Sequence, residues 1–393
     1  MTMWGNDQQR RLFEEIAAEF VASDPEVTKV QIIQTPTEYR ERLLVMLAGG
    51  TAPDVAFLDG ENSKDFFAAG LMRELDSYIA RDGFDVSDFF EPFWDAATFD
   101  GKRYGLPIWG GGFRTDLYAI NRNLFEAVGL PLPYFGSDPD AEAWTNDEFL
   151  AAVRKLTRDT SGDGNPDTWG FVPGRWYAWV YSNGGSVFSQ DRTRGLLHEQ
   201  AAAEALQFLA DLRVEGQTST QANFFQGRVG IAQVLYPNIG LFKERIGTSF
   251  DWQLAHQPKG AAGSIGYAKL NTISIPREAP HPDASWRLIK HMTSPRTATI
   301  MAENYVSAPW LRSVALSADF LYSDEPPYDV SPNIFGETLP VPNLTGWTEI
   351  RGAWDAALQS VNSGARPASV VLEEVRGQID AKLQEMAARG PIF

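Results

Sequence analysis

The 393-residue sequence predicts an α/β protein built around a mostly parallel, doubly wound sheet. Three observations lead to this fold class. Segments with apolar residues at helical spacing alternate with short apolar runs through the first half of the chain. Glycines stand at the ends of the predicted helices, where they favour termination. The chain is also too long for one ordinary hydrophobic core, so it forms two domains or one large α/β unit.

The N-terminal segment predicts a helix followed by a strand. Leu12, Phe13, Ile16 and Phe20 recur at helical spacing and give that helix one apolar face. Residues 27–33 are rich in β-forming side chains and predict a strand.

A second helix, a second strand and a third helix follow. Thr35 is predicted to be the N-cap of the second helix, with Glu38 completing a capping box. Glycines at 49–50 end that helix. Residues 54–58 form a short apolar strand, and residues 63–69 form the third helix.

The rest of the chain continues this alternation around one glycine-rich interruption. Residues 109–113 contain three consecutive glycines and predict a bend or crossover rather than a buried strand. Residues 229–235 predict a strand. The later predicted helices cover residues 123–128, 145–157, 199–214 and 372–386.

Composition and charge exclude several classes of function. Lys and Arg total 34 against 51 Asp and Glu, and the net charge of −17 disfavours nucleic acid and anionic membrane surfaces as partners. The absence of cysteine removes disulfides, thiolate catalysis and thiolate metal sites. No apolar run reaches the roughly 18 residues that a transmembrane helix needs.

An ordered series of motifs extends over nearly the whole chain. They are Trp4-Gly-Asn-Asp7, Ala48-Gly-Gly-Thr-Ala-Pro-Asp54, Asp100-Gly-Lys-Arg-Tyr-Gly-Leu-Pro107, Asn121-Arg-Asn-Leu-Phe-Glu-Ala-Val-Gly129, Phe225-Gln-Gly-Arg-Val-Gly230 and Met292-Thr-Ser-Pro295. In this order and at these distances, the series resembles the extracellular solute-binding proteins of carbohydrate ABC transporters, the family that includes maltose-binding protein.

The resemblance implies a two-lobed periplasmic-binding-protein fold (type II-like), in which each lobe is a mostly parallel sheet flanked by helices and the lobes close over a sugar. It also implies a monomer that is not an enzyme, a membrane permease as its partner, and a periplasmic or extracellular location with a lipid anchor as one alternative. The predicted segments are 1–110 and 267–315 in lobe 1, 114–262 and 325–393 in lobe 2, and hinge crossovers at 111–113, 263–266 and 316–324.

The candidate ligand-binding residues are aromatic and planar polar side chains. Aromatic rings stack on the C–H faces of sugars, and planar polar groups bind their hydroxyls. Most candidates lie in predicted loops, where α/β sheets bind ligands. They are Trp4, Asn6, Asp7, Gln8, Asp59, Glu61, Asn62, Trp109, Gly110, Trp176, Tyr177, Trp179, Tyr236, Asn238, Tyr267 and Trp347, with Tyr39 on a helix. For each aromatic residue the alternative is a place in the core, which we expect for Trp252, Trp286 and Trp354.

Trp347 stands out among these candidates. Its segment, 342–347, resembles the segment by which maltose-binding protein stacks an aromatic ring on its sugar. The resemblance therefore implies that Trp347 contacts the ligand.

Three arginines leave the charge of the ligand open. Arg114, Arg175 and Arg351 carry guanidinium groups that suit the carboxylate, sulfonate or phosphate of an acidic sugar. The alternative is that each arginine forms an ion pair within the protein.

One acidic loop has the spacing of a calcium site. Asp159, Ser161, Asp163, Asn165 and Asp167 follow the ligand spacing of an EF-hand loop. Glycine instead of glutamate stands at the last ligand position of the loop. Two alternatives therefore stay open for this loop: it binds a structural calcium ion, or it is an acidic turn without a metal.

No motif of an enzyme is present. The four histidines have no zinc-ligand spacing, and the nucleophile elbow, the P-loop and the dinucleotide fingerprint are absent. A glycoside hydrolase remains the alternative function, because it also needs aromatic residues and a pair of carboxylates.

Overall fold

The computed structural model describes residues 1–110, 116–135, 143–216, 219–321 and 338–391. Its strands are β1 Thr2–Met3, β2 Ile33–Gln34, β3 Ala56–Leu58, β4 Thr98–Phe99, β5 Lys102–Arg103, β6 Gly105–Gly110, β7 Asp116–Asn121, β8 Trp169–Val172, β9 Val229–Leu235, β10 Trp252–Ala255, β11 Gly266–Ala268, β12 Leu270–Ser274 and β13 Thr338–Pro340.

The helices flank these strands throughout the described ranges. They are α1 Asp7–Ser23, α2 Tyr39–Ala48, α3 Ser63–Ala68, α4 Asp76–Asp82, α5 Arg122–Ala127, α6 Asn146–Leu156, α7 Tyr177–Ser182, α8 Gln200–Glu215, α9 Gln221–Phe225, α10 Ile239–Ile246, α11 Pro282–Met292, α12 Pro295–Glu303, α13 Arg312–Ala315, α14 Ala318–Leu321, α15 Trp347–Asn362 and α16 Ala368–Arg389. None of these helices combines the length and apolar character that a membrane crossing requires.

Two sheets define two lobes. The sheet of the first lobe has the order β2-β1-β3-β12-β6, and that of the second lobe has the order β10-β7-β9-β8. The predicted α/β class is confirmed, but both sheets are mixed rather than mostly parallel. In the first, β12 runs antiparallel to β3 and β6; in the second, β7 runs antiparallel to β9 and β10. An antiparallel strand needs no covering helical crossover, so the chain can enter each sheet directly from a connecting segment.

Each lobe has its own hydrophobic core. Phe13 of α1, Phe57 of β3 and Trp286 of α11 are buried together in the first lobe. In the second lobe, α15 and α16 pack on each other and on α8, burying Trp354 and Leu383. The lobe boundaries from the resemblance stay a prediction, because residues 111–113 and 322–324 lie outside the described residues.

Two local predictions were wrong at the start of the chain. Of the predicted strand at 27–33, only Ile33 lies in a strand, as the first residue of β2. Thr35 is not a helix N-cap, because its N–H donates to Met3 O at 2.8 Å and extends the pairing of β2 with β1. Helix α2 begins at Tyr39 after Glu38, whose φ of 54° lies in the left-handed region.

The predicted bend at 109–113 was also partly wrong. Trp109 and Gly110 are the last residues of the buried strand β6. Glycine is needed there, since a Cβ on Gly110 would lie 2.4 Å from Lys269 O on the neighbouring chain segment. Residues 111–113 lie outside the described residues.

Candidate functional site

The first lobe presents an aromatic cluster beside a small pocket. The ring of Trp4, which follows β1, stacks on Trp109 with centroids 5.0 Å apart and an interplanar angle of 24°. Tyr39 meets Trp4 edge-on at 5.2 Å. A pocket of about 210 Å³ adjoins this cluster. Its lining includes Trp4, Tyr39, Arg40, Asp59 and Asn62.

Trp109 is held in an uncommon backbone conformation. Its φ is +48°, in the left-handed region that bulky side chains rarely adopt. The Asn271 side-chain amide donates to Trp109 O at 2.6 Å. Gly5 also makes room for the indole, because a Cβ there would lie 3.0 Å from the Trp109 ring. These contacts fix the ring on which Trp4 stacks.

The loop between β3 and α3 carries two carboxylates. Asp59 accepts a hydrogen bond from Lys269 Nζ at 2.8 Å and another from the Glu61 N–H at 2.8 Å. Burial alone would raise the pKa of Asp59, but Lys269 together with the Glu61 N–H and Arg175 outweighs burial, and the pKa is lowered. Gly60 holds the loop against the sheet, because a Cβ there would lie only 1.9 Å from Leu270 O. Asp59 is therefore an ionised group at the edge of the pocket.

A second aromatic cluster lies in the other lobe. Tyr177 packs with Trp176 at 4.3 Å, with Tyr267 at 5.4 Å and with Trp347 at 6.4 Å between ring centroids. Trp176 is half-buried, whereas the other three rings are buried. The cluster therefore presents Trp176 as its accessible ring.

Glu61 joins the two lobes. Arg175 Nη1 donates to Glu61 Oε1 at 2.5 Å, the Tyr177 hydroxyl donates to the same oxygen at 3.3 Å, and Arg351 Nη1 donates to Glu61 Oε2. Burial raises the pKa of Tyr177, and the neighbouring Glu61 carboxylate adds to the effect. Burial alone would lower the pKa of Arg175, but Glu61 together with Tyr267, Tyr177 and Asp59 outweighs burial, and the pKa is raised. All three donors therefore stay protonated around one carboxylate.

A separate contact joins the lobes at the start of α1. Gln9 Nε2 donates to Pro237 O at 3.2 Å, which places the Tyr236–Asn238 turn of the second lobe against the first. Gln8 lies close by, with its amide 3.4 Å from Asn304 O. The loop after β1 and the turn after β9 therefore face the same gap between the lobes.

The structure brings most of the predicted ligand-binding residues into these places. Trp4, Tyr39, Asp59 and Trp109 form the first-lobe group, and Trp176, Tyr177, Tyr267, Trp347 and Arg351 form the second-lobe group. Gln8 and Asn238 lie near the contact between the start of α1 and the Tyr236–Asn238 turn. Their contact with a ligand stays a prediction.

Four predicted positions differ from what the sequence suggested. Trp179 lies inside α7 and packs on Phe149 at 5.4 Å, so it is a core residue. Tyr236 is fully buried in the core of the second lobe. Asn6 is the N-cap of α1, and its side-chain oxygen Oδ1 already accepts a hydrogen bond from the Gln9 N–H at 2.9 Å. Trp347, predicted in a loop, is the first residue of α15 and is fully buried.

Two further predicted ligand-binding residues make contacts within the first lobe instead. Asp7 is exposed and lies 3.8 Å from Arg10 one turn along α1. The N–H of Gly110 donates to Ser307 Oγ at 3.0 Å, so its backbone donor is used within the first lobe. Arg114 lies outside the described residues.

Sequence reasoning missed Lys269, and it listed Glu61 as a candidate for sugar hydroxyls without predicting its ion pairs. Lys269 lies between β11 and β12, which belong to different sheets, so no alternation along one strand relates its side chain to that of Tyr267. Nothing local predicted the partners of Glu61, because they are 114 and 290 residues away.

The acidic loop has a compact hydrogen-bonded geometry. Asp159 accepts the N–H groups of Gly162 and Gly164 at 2.6 and 2.7 Å, and Asp167 accepts the Thr160 hydroxyl at 2.6 Å and its N–H at 2.7 Å. These hydrogen bonds lower the pKa of both carboxyls. Among the described residues, no group of three or more His, Asp or Glu is placed to hold a metal ion. Calcium binding here stays a prediction, to be tested by thermal unfolding with calcium or with a chelator.

Comparison with known proteins gives the family. The model of the family described as "Bacterial extracellular solute-binding protein" matches residues 6–299, about three quarters of the chain. This chain belongs to that family. The family confirms the resemblance drawn from the motifs, and its members bind solutes and are not enzymes.

Individual relatives agree with this membership. A binding protein of Brucella abortus is 25% identical over 388 residues, covering 95% of this chain and 90% of its own length. An ABC substrate-binding protein from Listeria monocytogenes in complex with cycloalternan superposes with a TM-score of 0.83 at 21% identity, covering 98% of both chains. The GacH receptor of Streptomyces glaucescens, solved unliganded and with acarbose, superposes with a TM-score of 0.81 at 18% identity, covering 98% of this solute-binding protein and 97% of that chain. The two superpositions confirm the two-lobed fold.

Proposed function

We propose that this solute-binding protein binds a sugar or oligosaccharide between its lobes and delivers it unchanged to the permease of an ABC importer. The observation that carries the proposal is the placement of two aromatic clusters with charged groups between them. Trp4 and Trp176 are half-buried rings on opposite lobes, and the loop of Asp59 and Glu61 runs between the clusters.

The chemistry of these groups suits a sugar. The stacked Trp4 ring offers a flat apolar surface to axial C–H groups. Asp59 and Lys269 are partly exposed and supply an acceptor and a donor for hydroxyls. Cycloalternan and acarbose, the ligands of the two solved relatives, are both saccharides, which supports the same class here.

A hydrolase function gains no support from the site. The general acid of a glycoside hydrolase needs a raised pKa so that it can donate a proton near neutral pH. The pKa of Asp59 is lowered by Lys269, so Asp59 is an acceptor and not a proton donor.

The proposed mechanism is lobe closure. Sugar docks on the aromatic group of one lobe, and the second lobe closes over it and completes the site. The closed form then presents surfaces from both lobes to a permease in the membrane. We further propose a periplasmic or extracellular location, with a lipid anchor as one form of attachment.

A saccharide screen tests the proposal. Thermal unfolding is measured with mono-, di- and oligosaccharides, and each hit is confirmed by isothermal titration calorimetry. A binding sugar raises the melting temperature, because only the folded state binds it. Chromatography of the recovered ligand should show it intact. Hydrolysis products, or no stabilisation by any saccharide, would contradict the proposal.

A further inference from the structure

The ion pairs of Glu61 carry a further inference about which solutes this site accepts. Glu61 is 5% exposed and belongs to the first lobe, whereas Arg175 and Arg351 belong to the second. Two guanidinium groups converging on one point are a usual way for proteins to bind a carboxylate, sulfate or phosphate. Here that position is filled by a carboxylate of the protein itself.

Both sides of this contact are held by the backbone. Gly60, next to Glu61, donates its N–H to Asn271 Oδ1 at 3.1 Å and has no room to move towards Leu270. On the other side, the Arg175 N–H donates to Gln233 Oε1 at 2.6 Å. The loops that carry Glu61 and Arg175 are therefore fixed within their own lobes, and Glu61 stays paired with its arginines as long as the lobes are closed.

We propose that Glu61 is the specificity-determining residue of the cleft, and that by occupying Arg175 and Arg351 it makes the site accept neutral sugars and reject anionic ones. This inference rests on the proposed function and names its substrate class.

The physical reason is the cost of a second anion. An anionic ligand would have to displace Glu61 and leave a buried carboxylate without partners, which is strongly unfavourable. Alternatively it would lie beside Glu61, where like charges repel. The nearby Asp59 and Asp355, the latter 3.7 Å from Arg351, add to that repulsion.

A neutral ligand meets no such cost. A guanidinium has five N–H donors, and Glu61 uses only some of them. The side chains of Arg175 and Arg351 remain 35% and 32% exposed, so their other donors are available to sugar hydroxyls. The same arginines therefore bind hydroxyls while Glu61 keeps them from anions.

The test compares Glu61→Gln with wild type on matched pairs of ligands. The pairs are glucose with glucuronate, galactose with galacturonate, and cellobiose with cellobiouronate, at constant ionic strength. Wild type is expected to bind each neutral member at least about tenfold more tightly than its acid, since repulsion of like charges costs several kcal/mol. In Glu61→Gln the affinity for the acids should rise at least about tenfold. Glu74→Gln, an exposed residue paired with Lys102, removes the same charge and should change neither preference.

Sodium sulfate provides a second arm that needs no sugar. Sulfate should raise the melting temperature of Glu61→Gln relative to sodium chloride, and the double variant Glu61→Gln/Arg351→Gln should lose that gain. If no saccharide binds wild type, the proposed function fails while this arm still decides the role of Glu61. Acids bound by wild type as tightly as their neutral partners, or a Glu61→Gln protein that gains neither acid nor sulfate binding, would overturn the inference. Should Glu61→Gln not fold, acids bound by wild type as tightly as their neutral partners would still overturn the inference.

Discussion

The indole of Trp4, which follows β1, stacks on the indole of Trp109, which lies in β6, with 5.0 Å between ring centroids. Trp109 is buried and fixed, whereas Trp4 is half-buried. The pair therefore forms a rigid aromatic platform with one face towards the pocket beside Asp59.

Removing the outer ring of this platform should weaken sugar binding without unfolding the lobe. Trp4→Leu is expected to lower the affinity for the sugar found in the screen about tenfold or more, because the stacking surface is lost. Calorimetry measures the change. Trp169→Leu is the matched control, since Trp169 is half-buried at the opposite end of β8 from the site. Equal losses in both variants would show that stacking on Trp4 is not the cause.

Trp347 should affect stability before it affects binding. Its ring is fully buried and packs on Phe188 and Trp354 at 5.6 and 6.0 Å. Trp347→Ala is expected to lower the free energy of unfolding by about 3–5 kcal/mol, as for other large aromatic residues in cores. Urea unfolding measures this loss. Trp347→Phe keeps most of the volume and should cost clearly less; similar stability of all three proteins would contradict the core placement.

Gly60 should be intolerant of a side chain. A Cβ there would lie 1.9 Å from the backbone oxygen of Leu270, so Gly60→Ala must displace the loop that carries Asp59 and Glu61. We expect a loss of about 1–3 kcal/mol in unfolding free energy, together with weaker sugar binding.

Gly352→Ala serves as the control for that substitution. Gly352 lies in α15 with open space around its Cβ position. Alanine there should stabilise the helix by about 0.5–1 kcal/mol. A Gly60→Ala protein as stable as Gly352→Ala would contradict the close approach of the loop to β12.

Low pH should remove the contribution that one ion pair in the first lobe makes to the free energy of unfolding. Hydrogen bonding to Arg287, whose Nε lies 2.6 Å from the carboxylate, lowers the pKa of Asp24 from 3.8 to about 2. A lowered pKa means that the folded state favours the ionised carboxylate. The stabilisation is therefore complete above about pH 4 and is lost as the pH falls towards 2.

Urea unfolding of wild type and Asp24→Asn across this range measures that loss. The stability difference between the two proteins should be largest near neutral pH and should shrink below about pH 4. Glu126→Gln removes the same charge from an exposed position on α5. A difference for Asp24→Asn that is independent of pH would contradict the role of its ionised form.

Local features of this protein were determined by the sequence alone. The helical spacing of Leu12, Phe13 and Ile16 predicted α1, and Thr145 with Glu148 form the capping box that begins α6 where the long helix was predicted. The ordered motifs led to the family and, through it, to the two-lobed fold. In such cases neighbouring residues carry the whole signal, because spacing and capping depend on contacts within a few positions.

Only the tertiary structure decided which residues meet. Thr35 had the local pattern of a helix cap, yet its backbone N–H donates to Met3 of β1 and extends the sheet instead. Trp347 and Tyr236 carry ring types suited to a ligand, but packing buries them fully. Glu61 meets Arg175 and Arg351 across 114 and 290 residues, through contacts set by how the two lobes pack. No periodicity along the chain encodes such a distance, so the pairing of these charges between the lobes could not be predicted from the sequence, although the residues themselves were candidates.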